Sequence, residues 1–286
     1  MIKKIIFLIL CLFSALAKSD EFVWKINFDR KLNIPHLNLT IDGKDIEVTL
    51  DTGSKEGLHL PLDFIDNIVD KIELPENKKS IDLSGNINIT RSFIANNLVI
   101  NSLTFKKVNI IEYKPWGLAI SSNNEKEESD DFPAIGLGLF DQYVLTLNFP
   151  KNEIIISDDI NLSLDNTWVE LPFRLVDEGL VIEMSDGYKN FQMILDTGAS
   201  LSMIKAQSLS PQSIKIKDEN SHYQFVELGV SYVSSDKVEA IILDSLPPEF
   251  QSDGLLGIDV LQSHLIKIDF KNKKLWIKPF KTGSTN

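Results

Sequence analysis

"VTLDTGSKEGLHL", residues 48–60, sets a carboxylate, Asp51, at the end of a strand-like run and just ahead of a turn of small residues. "QMILDTGASLSMI", residues 192–204, sets Asp196 in the same surroundings. An acid at the inner end of an apolar strand costs stability unless something uses it. Two such acids in matching contexts ask for one joint explanation.

The match extends in both directions. Ahead of Asp51, Leu37, Leu39 and Ile41 alternate with polar residues, the chain turns at Asp42-Gly43, and Ile46, Val48 and Leu50 alternate again. Ahead of Asp196, Leu180, Ile182 and Met184 lead to a turn at Asp186-Gly187 and on to Phe191, Met193 and Leu195. A period of two broken by a glycine-containing turn is a β-hairpin signal, so each acid is expected at the end of a hairpin's second strand. Downstream, "AIGLGLFDQYVLTLNFPKNEIII" (134–156) and "LLGIDVLQSHLIKIDFKNKKLWI" (255–277) align without a gap, with Gly136 on Gly257, Phe149 on Phe270, and Asn152 in the same turn as Lys273.

Hairpin, Asp-Thr-Gly and apolar-apolar-Gly thus occur twice, in a repeat too long for a solenoid unit. The chain reads as two homologous lobes, residues 22–157 and 167–280, joined by the polar stretch "SDDINLSLDNT" (157–167). Asp51 and Gly136 are 24 residues further apart than Asp196 and Gly257, and the acidic run "SSNNEKEESDD" (121–131), read as a solvated loop, accounts for part of that excess. In "PLDFIDNIVDKI" (61–72), Phe64, Ile65, Ile68, Val69 and Ile72 recur at helical spacing after Pro61, which predicts a core-facing helix.

The chain opens with Lys3 and Lys4 ahead of an apolar stretch that ends in Ala15-Leu16-Ala17, the form of a cleavable secretory signal over residues 1–17. An uncleaved anchor is the alternative, although the run is short of the roughly 20 residues that cross a bilayer. The expected location is therefore the periplasm or the exterior. The single cysteine, Cys11, lies inside that segment, so the remainder can form neither disulfides nor thiolate metal sites. Stability must come from buried apolar surface, and 43% apolar residues in 286 is enough for two cores. A formal charge of −12 argues against nucleic acid as a partner. The histidines at 36, 59, 222 and 264 have no HxxxH or HxH spacing, so no metal site is expected and they read as surface or satisfied side chains.

"LDTGS" (50–54), "LDTGAS" (195–200), "AIGLG" and "LLGID" resemble the motifs of aspartic proteases of the pepsin and retropepsin superfamily, and the downstream blocks are most similar to its bacterial retropepsin-like branch. A lone Asp-Thr-Gly recurs by chance; a duplicated one with its apolar-apolar-Gly partner is far more specific. The resemblance implies an all-β, bilobal pepsin/retropepsin-like acid protease fold, with two β-barrel lobes, a few short helices, and the two motif turns meeting on a pseudo-twofold axis. It also implies that Asp51 and Asp196 are the catalytic pair, that no cofactor is needed, and that the substrate is a peptide or protein. Thr52 and Thr197 are then expected to tie the turns together and Gly53 and Gly198 to let the backbone amides face the carboxylates, with Gly136 and Gly257 as further supporting residues.

With both halves of the dyad in one chain, a monomer is expected. The lobes differ at the next position, Ser54 against Ala199. A hydroxyl there can donate to the adjacent carboxylate, which predicts Asp51 as the ionised member. For a flap over the cleft, "SIDLSGNINITRSF" (80–93) offers Gly85 as a tip, and "IKDENSHYQFVELGV" (216–230) offers Tyr223 as a counterpart. Trp276 reads as core, and Trp116, beside Pro115 and Gly117, as a candidate for the cleft wall. The alternative to an enzyme is a non-catalytic peptide-binding protein built on the same scaffold.

Overall fold

A computed structural model describes residues 21–81, 87–115, 132–158, 164–217, 223–230, 237–244, 246–247 and 249–279. The expected signal segment, the acidic run 121–131, Gly85, Trp116, His222 and the middle of the expected linker lie outside the described residues.

Both predicted hairpins form. Pro35–Ile41 pairs with Lys44–Asp51 across a turn in which Asp42 and Gly43 both have positive φ, and Gly179–Ser185 pairs with Asn190–Leu195 across a longer turn around Gly187. Inward positions alternate as the sequence dictates, with Leu37, Leu39 and Ile41 buried on one strand and Leu180, Ile182 and Met184 on its counterpart.

Each hairpin opens an eight-stranded sheet, and the two sheets have the same strand order. In the first lobe this is Asn27–Phe28, Pro35–Ile41, Lys44–Asp51, Ala134–Gly136, Leu58–Leu60, Leu103–Glu112, Ser92–Ile100 and Lys71–Glu73. In the second it is Phe173–Val176, Gly179–Ser185, Asn190–Leu195, Gly254–Leu256, Met203–Lys205, Lys237–Leu243, Gln224–Val230 and Lys215–Lys217. Pairing of Ile41 with Ile100, and of Met184 with Val230, closes each sheet into a barrel. Leu37, Val48, Phe93 and Ile110 in the first lobe and Leu180, Phe191, Met193 and Leu228 in the second belong to one continuous apolar core.

The lobes share a third sheet, all antiparallel, in the order Glu21–Lys25, Glu153–Ser157, Val144–Asn148, His264–Asp269, Lys274–Pro279 and Val169–Leu171. Its middle pairing joins one strand from each lobe, and Thr146 faces Lys267. Each of these residues stands ten positions past its lobe's apolar-apolar-Gly glycine, so they are equivalent in the repeat. A strand pair centred on equivalent residues has a twofold axis through its centre, which places the molecular pseudo-twofold between Thr146 and Lys267. Asn152 and Lys273, also equivalent, both take the left-handed conformation, φ 52° and 55°, in the following turn.

The predicted helix over 61–72 is cut short. Only Leu62–Ile65 is helical, and Lys71–Glu73 is instead an edge strand paired with Ser92–Ile100. The Lys71 ammonium donates to the carbonyls of Asp66 and Ile68, ending the turn, and the β-branched Ile72 pairs with Ile94. Ile65 and Ile68 are buried as expected, but Val69 is 92% and Ile72 58% exposed. The other described α-helix, Ile258–Leu261, is also a single turn, and three short 3-10 turns complete the described helical content.

The extra length of the first lobe has two sources. Eighteen residues separate Glu73 from Ser92 where six separate Lys217 from Gln224, and within the eighteen lies a separate hairpin, Lys78–Ile81 with Ile87–Thr90. Most of the remaining excess precedes Ala134, where the acidic run falls.

At the lobe junction, Gly179 has φ +114°, and a Cβ there would stand 2.7 Å from the Thr52 carbonyl oxygen of the opposite lobe. Strain and overlap act together at this position. Gly179→Ala is expected to lower stability by roughly 2 kcal/mol or more, measured by urea unfolding, whereas Gly187→Ala, where nothing lies within 4 Å of the added carbon, carries only the φ penalty.

Candidate active site

In each lobe the acid-bearing loop is held open by a third strand. Ala134–Gly136 runs parallel to Lys44–Asp51 on one side and antiparallel to Leu58–Leu60 on the other, so the two arms around Asp51 never pair with each other. Gly254–Leu256 does the same between Asn190–Leu195 and Met203–Lys205. The glycine closing each inserted strand touches the loop itself. A Cβ on Gly136 would lie 2.7 Å from the Ser54 carbonyl oxygen, and one on Gly257 would lie 2.8 Å from that of Ala199. This contact explains why each Asp-Thr-Gly comes with an apolar-apolar-Gly partner.

The two loops meet tip to tip. The Thr52 amide donates to the Thr197 hydroxyl and the Thr197 amide to the Thr52 hydroxyl, both at 3.0 Å. Each hydroxyl passes its own proton across the junction, Thr52 to the Leu195 carbonyl at 2.6 Å and Thr197 to the Leu50 carbonyl at 2.5 Å. Both threonines are buried. Four reciprocal bonds thus fix the separation of the residues on either side, Asp51 and Asp196.

The carboxyls sit in equivalent cradles. The Gly53 amide donates to Asp51 Oδ1 and the Gly198 amide to Asp196 Oδ1, each at 2.9 Å. A Cβ on Gly53 would lie 2.8 Å from the Asp196 carboxyl carbon, and one on Gly198 would lie 3.2 Å from that of Asp51, so each carboxyl packs against the opposite lobe's glycine. The Asp51 and Asp196 side chains are hydrogen-bonded to each other. Removal from water raises both acids above the ordinary carboxylate range. Asp196 is pushed up to about 6, the rise being opposed by donation from the Gly198 amide, the Asp51 carboxyl and the Ala199 amide. Asp51 is raised well above its usual value, first by burial and then by the negative charge of Asp196. Two acids in this relation hold one proton between them.

The expectation for Ser54 is corrected. Its hydroxyl is not given to Asp51; Ser54 Oγ lies 2.7 Å from Nε2 of His59, a buried side chain on Leu58–Leu60, and accepts from the Glu56 amide at 3.3 Å. Asp51 receives the backbone amide of Ser54, just as Asp196 receives that of Ala199. The hydroxyl therefore does not mark Asp51 as the ionised member, and both acids are raised together as one coupled pair.

The second lobe braces its loop with a pair the sequence reading missed. The Ser202 hydroxyl donates to Asp259 at 2.8 Å and accepts from the Gly257 amide at 3.0 Å, and the Ser202 amide also reaches Asp259. Asp259 belongs to "LLGID", and its acid two places past the glycine was the available signal, since the equivalent position in the first lobe is Gly138. An ion pair crosses the junction from Lys55 to Asp177, and Lys78 at the root of the extra hairpin binds Glu56 at 2.5 Å.

The stretch expected to supply a flap forms the extra hairpin, Lys78–Ile81 with Ile87–Thr90, while its expected tip, Gly85, lies outside the described residues. Tyr223 stands at the start of Gln224–Val230 and packs on the cluster of Val181, Ile194, Met203, Ile241 and Leu255. His36, His59 and His264 are all buried, not on the surface, and Trp276 is 6% exposed in the core. Among the described residues, no group of three His, Cys, Asp or Glu side chains is placed to hold a metal ion.

The folding pattern and the junction together define a bilobal, pepsin-like acid protease fold. Solved structures agree: an aspartic proteinase from Irpex lacteus superposes with a TM-score of 0.55 at 13% identity, covering 93% of this chain and 100% of that one. Basic 7S globulin from soybean superposes with a TM-score of 0.53 at 11% identity, covering 91% of this chain and 95% of that one. No protein-family model matches the sequence, and no curated protein does.

Two outcomes follow for the junction. Thr52→Val orphans the Thr197 amide and the Leu195 carbonyl, and is expected to cost about 2–5 kcal/mol in urea unfolding. An acid whose folded-state pKa is raised above its unfolded value costs stability as pH climbs past about 4. Asp51→Asn should therefore raise Tm relative to the parent at pH 8, with the difference disappearing near pH 3.

Proposed function

We propose that the protein is an aspartic-type endopeptidase that hydrolyses peptide bonds with Asp51 and Asp196 as its catalytic pair. The observation carrying this reading is the buried, mutually hydrogen-bonded carboxyl pair held by reciprocal threonine bonds where the two lobes meet. Such a pair is costly to maintain, and chemistry that needs an acid and a base side by side is the reason to maintain it.

In the singly protonated pair, the ionised carboxylate takes a proton from a water bound between the two, and the protonated one donates to the oxygen of the scissile carbonyl. Water attacks the carbonyl carbon directly, giving a tetrahedral diol with no covalent enzyme intermediate. The carboxyl that took the water's proton then gives it to the amide nitrogen while the other takes a proton from a diol hydroxyl, so that the C–N bond breaks and the singly protonated pair is restored. Neither metal nor cofactor takes part. An extended peptide lies across the cleft under the first-lobe hairpin, whose root residue Lys78 is tied through Glu56 to the Asp51 loop.

The finer placement follows from sequence. The downstream blocks resemble the bacterial retropepsin-like branch, the amino-terminal segment has the form of a secretory signal, and the duplicated motif supports a monomer that completes its dyad internally. We therefore place the enzyme in the periplasm or outside the cell, acting on peptide or protein substrates and not on nucleic acid.

The deciding experiment incubates the purified protein with an unstructured protein substrate across pH, beside Asp51→Asn and Asp196→Asn. Either substitution is expected to abolish cleavage, by 10³-fold or more on the scale of losing a general acid or base. Cleavage that survives in one variant would refute the shared dyad, and binding without cleavage in the parent would return the chain to the peptide-binding alternative. The pH profile should be bell-shaped. Its acid limb lies near 6, where the pair takes up its second proton, and its alkaline limb lies above it, where the pair loses the shared one.

A further inference from the structure

The hydroxyls nearest the dyad are not equally committed. Those of Thr52 and Thr197 are locked between the lobes, and in the second lobe position 199 is alanine. Ser54 alone places a hydroxyl on the residue whose amide already reaches the Asp51 carboxyl. Rotation about its Cα–Cβ bond would turn that hydroxyl towards the carboxylate. It is turned away instead. Oγ accepts from the Glu56 amide, and the described acceptor within reach of its own proton is Nε2 of His59 at 2.7 Å. His59 then carries its proton on Nδ1.

The position of His59 suits this task. It lies on the short strand Leu58–Leu60, beside Ala134 on one neighbouring strand and Ile111 on the other, and it is buried. Among the described residues, the charged group acting on it is Lys78 at the root of the extra hairpin, which is paired with Glu56; Glu112, one place past its neighbour Ile111 on the next strand, is paired with Lys114. Burial and then the Lys78 charge push the imidazole down to about 4, so it stays neutral, and an acceptor, throughout the range in which the dyad titrates. At the corresponding place in the second lobe the strand carries the apolar Met203 and Ile204, and the nearby Ser202 hydroxyl is held by Asp259.

We propose that His59 is a positioning residue that keeps the Ser54 hydroxyl off Asp51 and so sets the pH range over which the carboxyl pair holds a single proton. A hydroxyl donated to the carboxylate would stabilise the ionised form and draw the lower titration of the pair to more acid pH. With the hydroxyl withheld, the first lobe behaves as though alanine stood at position 54, as it does at 199.

The kinetic consequence rests on the endopeptidase reading; the titration itself does not, and the test keeps them apart. Carboxyl ¹³C shifts of Asp51 and Asp196 are followed across pH in the full protein, alongside the acid limb of peptide cleavage. His59→Leu is expected to move the lower titration, and the limb with it, to more acid pH by about one unit, the size of one charge-assisted hydrogen bond. The double variant His59→Leu/Ser54→Ala should return both to the parent position. His59→Gln, which keeps an acceptor on a less disruptive side chain, and Ser54→Ala alone should leave both in place. Unchanged titration in a folded His59→Leu protein, or a shift in Ser54→Ala alone, overturns the proposal. Should His59→Leu fail to fold, a shifted titration in His59→Gln overturns it and an unshifted one, together with an unshifted Ser54→Ala, supports it. If the titrations behave as stated while no peptide is cut at any pH, the role of His59 stands and the endopeptidase reading falls.

Discussion

The exchange of hydrogen bonds between Thr52 and Thr197 is the constraint on which the rest of this molecule depends. Each threonine accepts the other's amide and donates to a backbone carbonyl across the junction, and both side chains are buried. Because these bonds come from residues next to the two aspartates, they fix the acids at hydrogen-bonding separation. Elsewhere such an arrangement would relax by moving one charge into solvent. Here the loops cannot move apart without breaking four buried hydrogen bonds, and the strands Ala134–Gly136 and Gly254–Leu256 prevent either loop from collapsing on itself. The high proton affinity of the pair is thus imposed by the architecture.

The pseudo-twofold is close at the junction and breaks a few ångströms away. Behind Asp51 stands a hydroxyl with an imidazole, Ser54 and His59; behind Asp196 a hydroxyl with a carboxylate, Ser202 and Asp259. The first lobe carries a separate hairpin between Glu73 and Ser92, where the second lobe's sequence has six residues between Lys217 and Gln224. Ion pairs gather on the first-lobe side, where Lys55, Glu56 and Lys78 meet Asp177 from across the junction. A symmetric centre in asymmetric surroundings gives two chemically similar acids different neighbours, which lets the pair hold its proton unequally.

Much of the fold was legible in the sequence because its signals are local and repeated. Alternation at Leu37, Leu39 and Ile41 and at Leu180, Ile182 and Met184 marks the hairpins, and the duplicated Asp-Thr-Gly with its glycine partner marks the loops. What the sequence concealed depends on contacts between distant segments. The stretch 61–72 has helical spacing, yet an open strand edge along Ser92–Ile100 claims Ile72 for pairing. Ser54 reads as a partner for Asp51 until the barrel closes and brings His59 to it. Ser202 carries no distinguishing pattern, and Asp259 gains meaning only when its helix turn abuts the second loop. Position in the barrel, not composition, decides each of these.

The basal sheet has a bearing on what half of this chain would do alone. Its central pairing sets Thr146 against Lys267, two residues that are the same place in the repeat, with matching partners stepping outward on either side. A strand that meets its own counterpart in that way can meet a second copy of itself with the same spacing. Either half, freed from the other, would present a long unpaired border already shaped for self-association. Covalent linkage in one polypeptide therefore does more than bring two acids together: it supplies each border with a tethered mate at high effective concentration, and so guards the exposed strands from strangers.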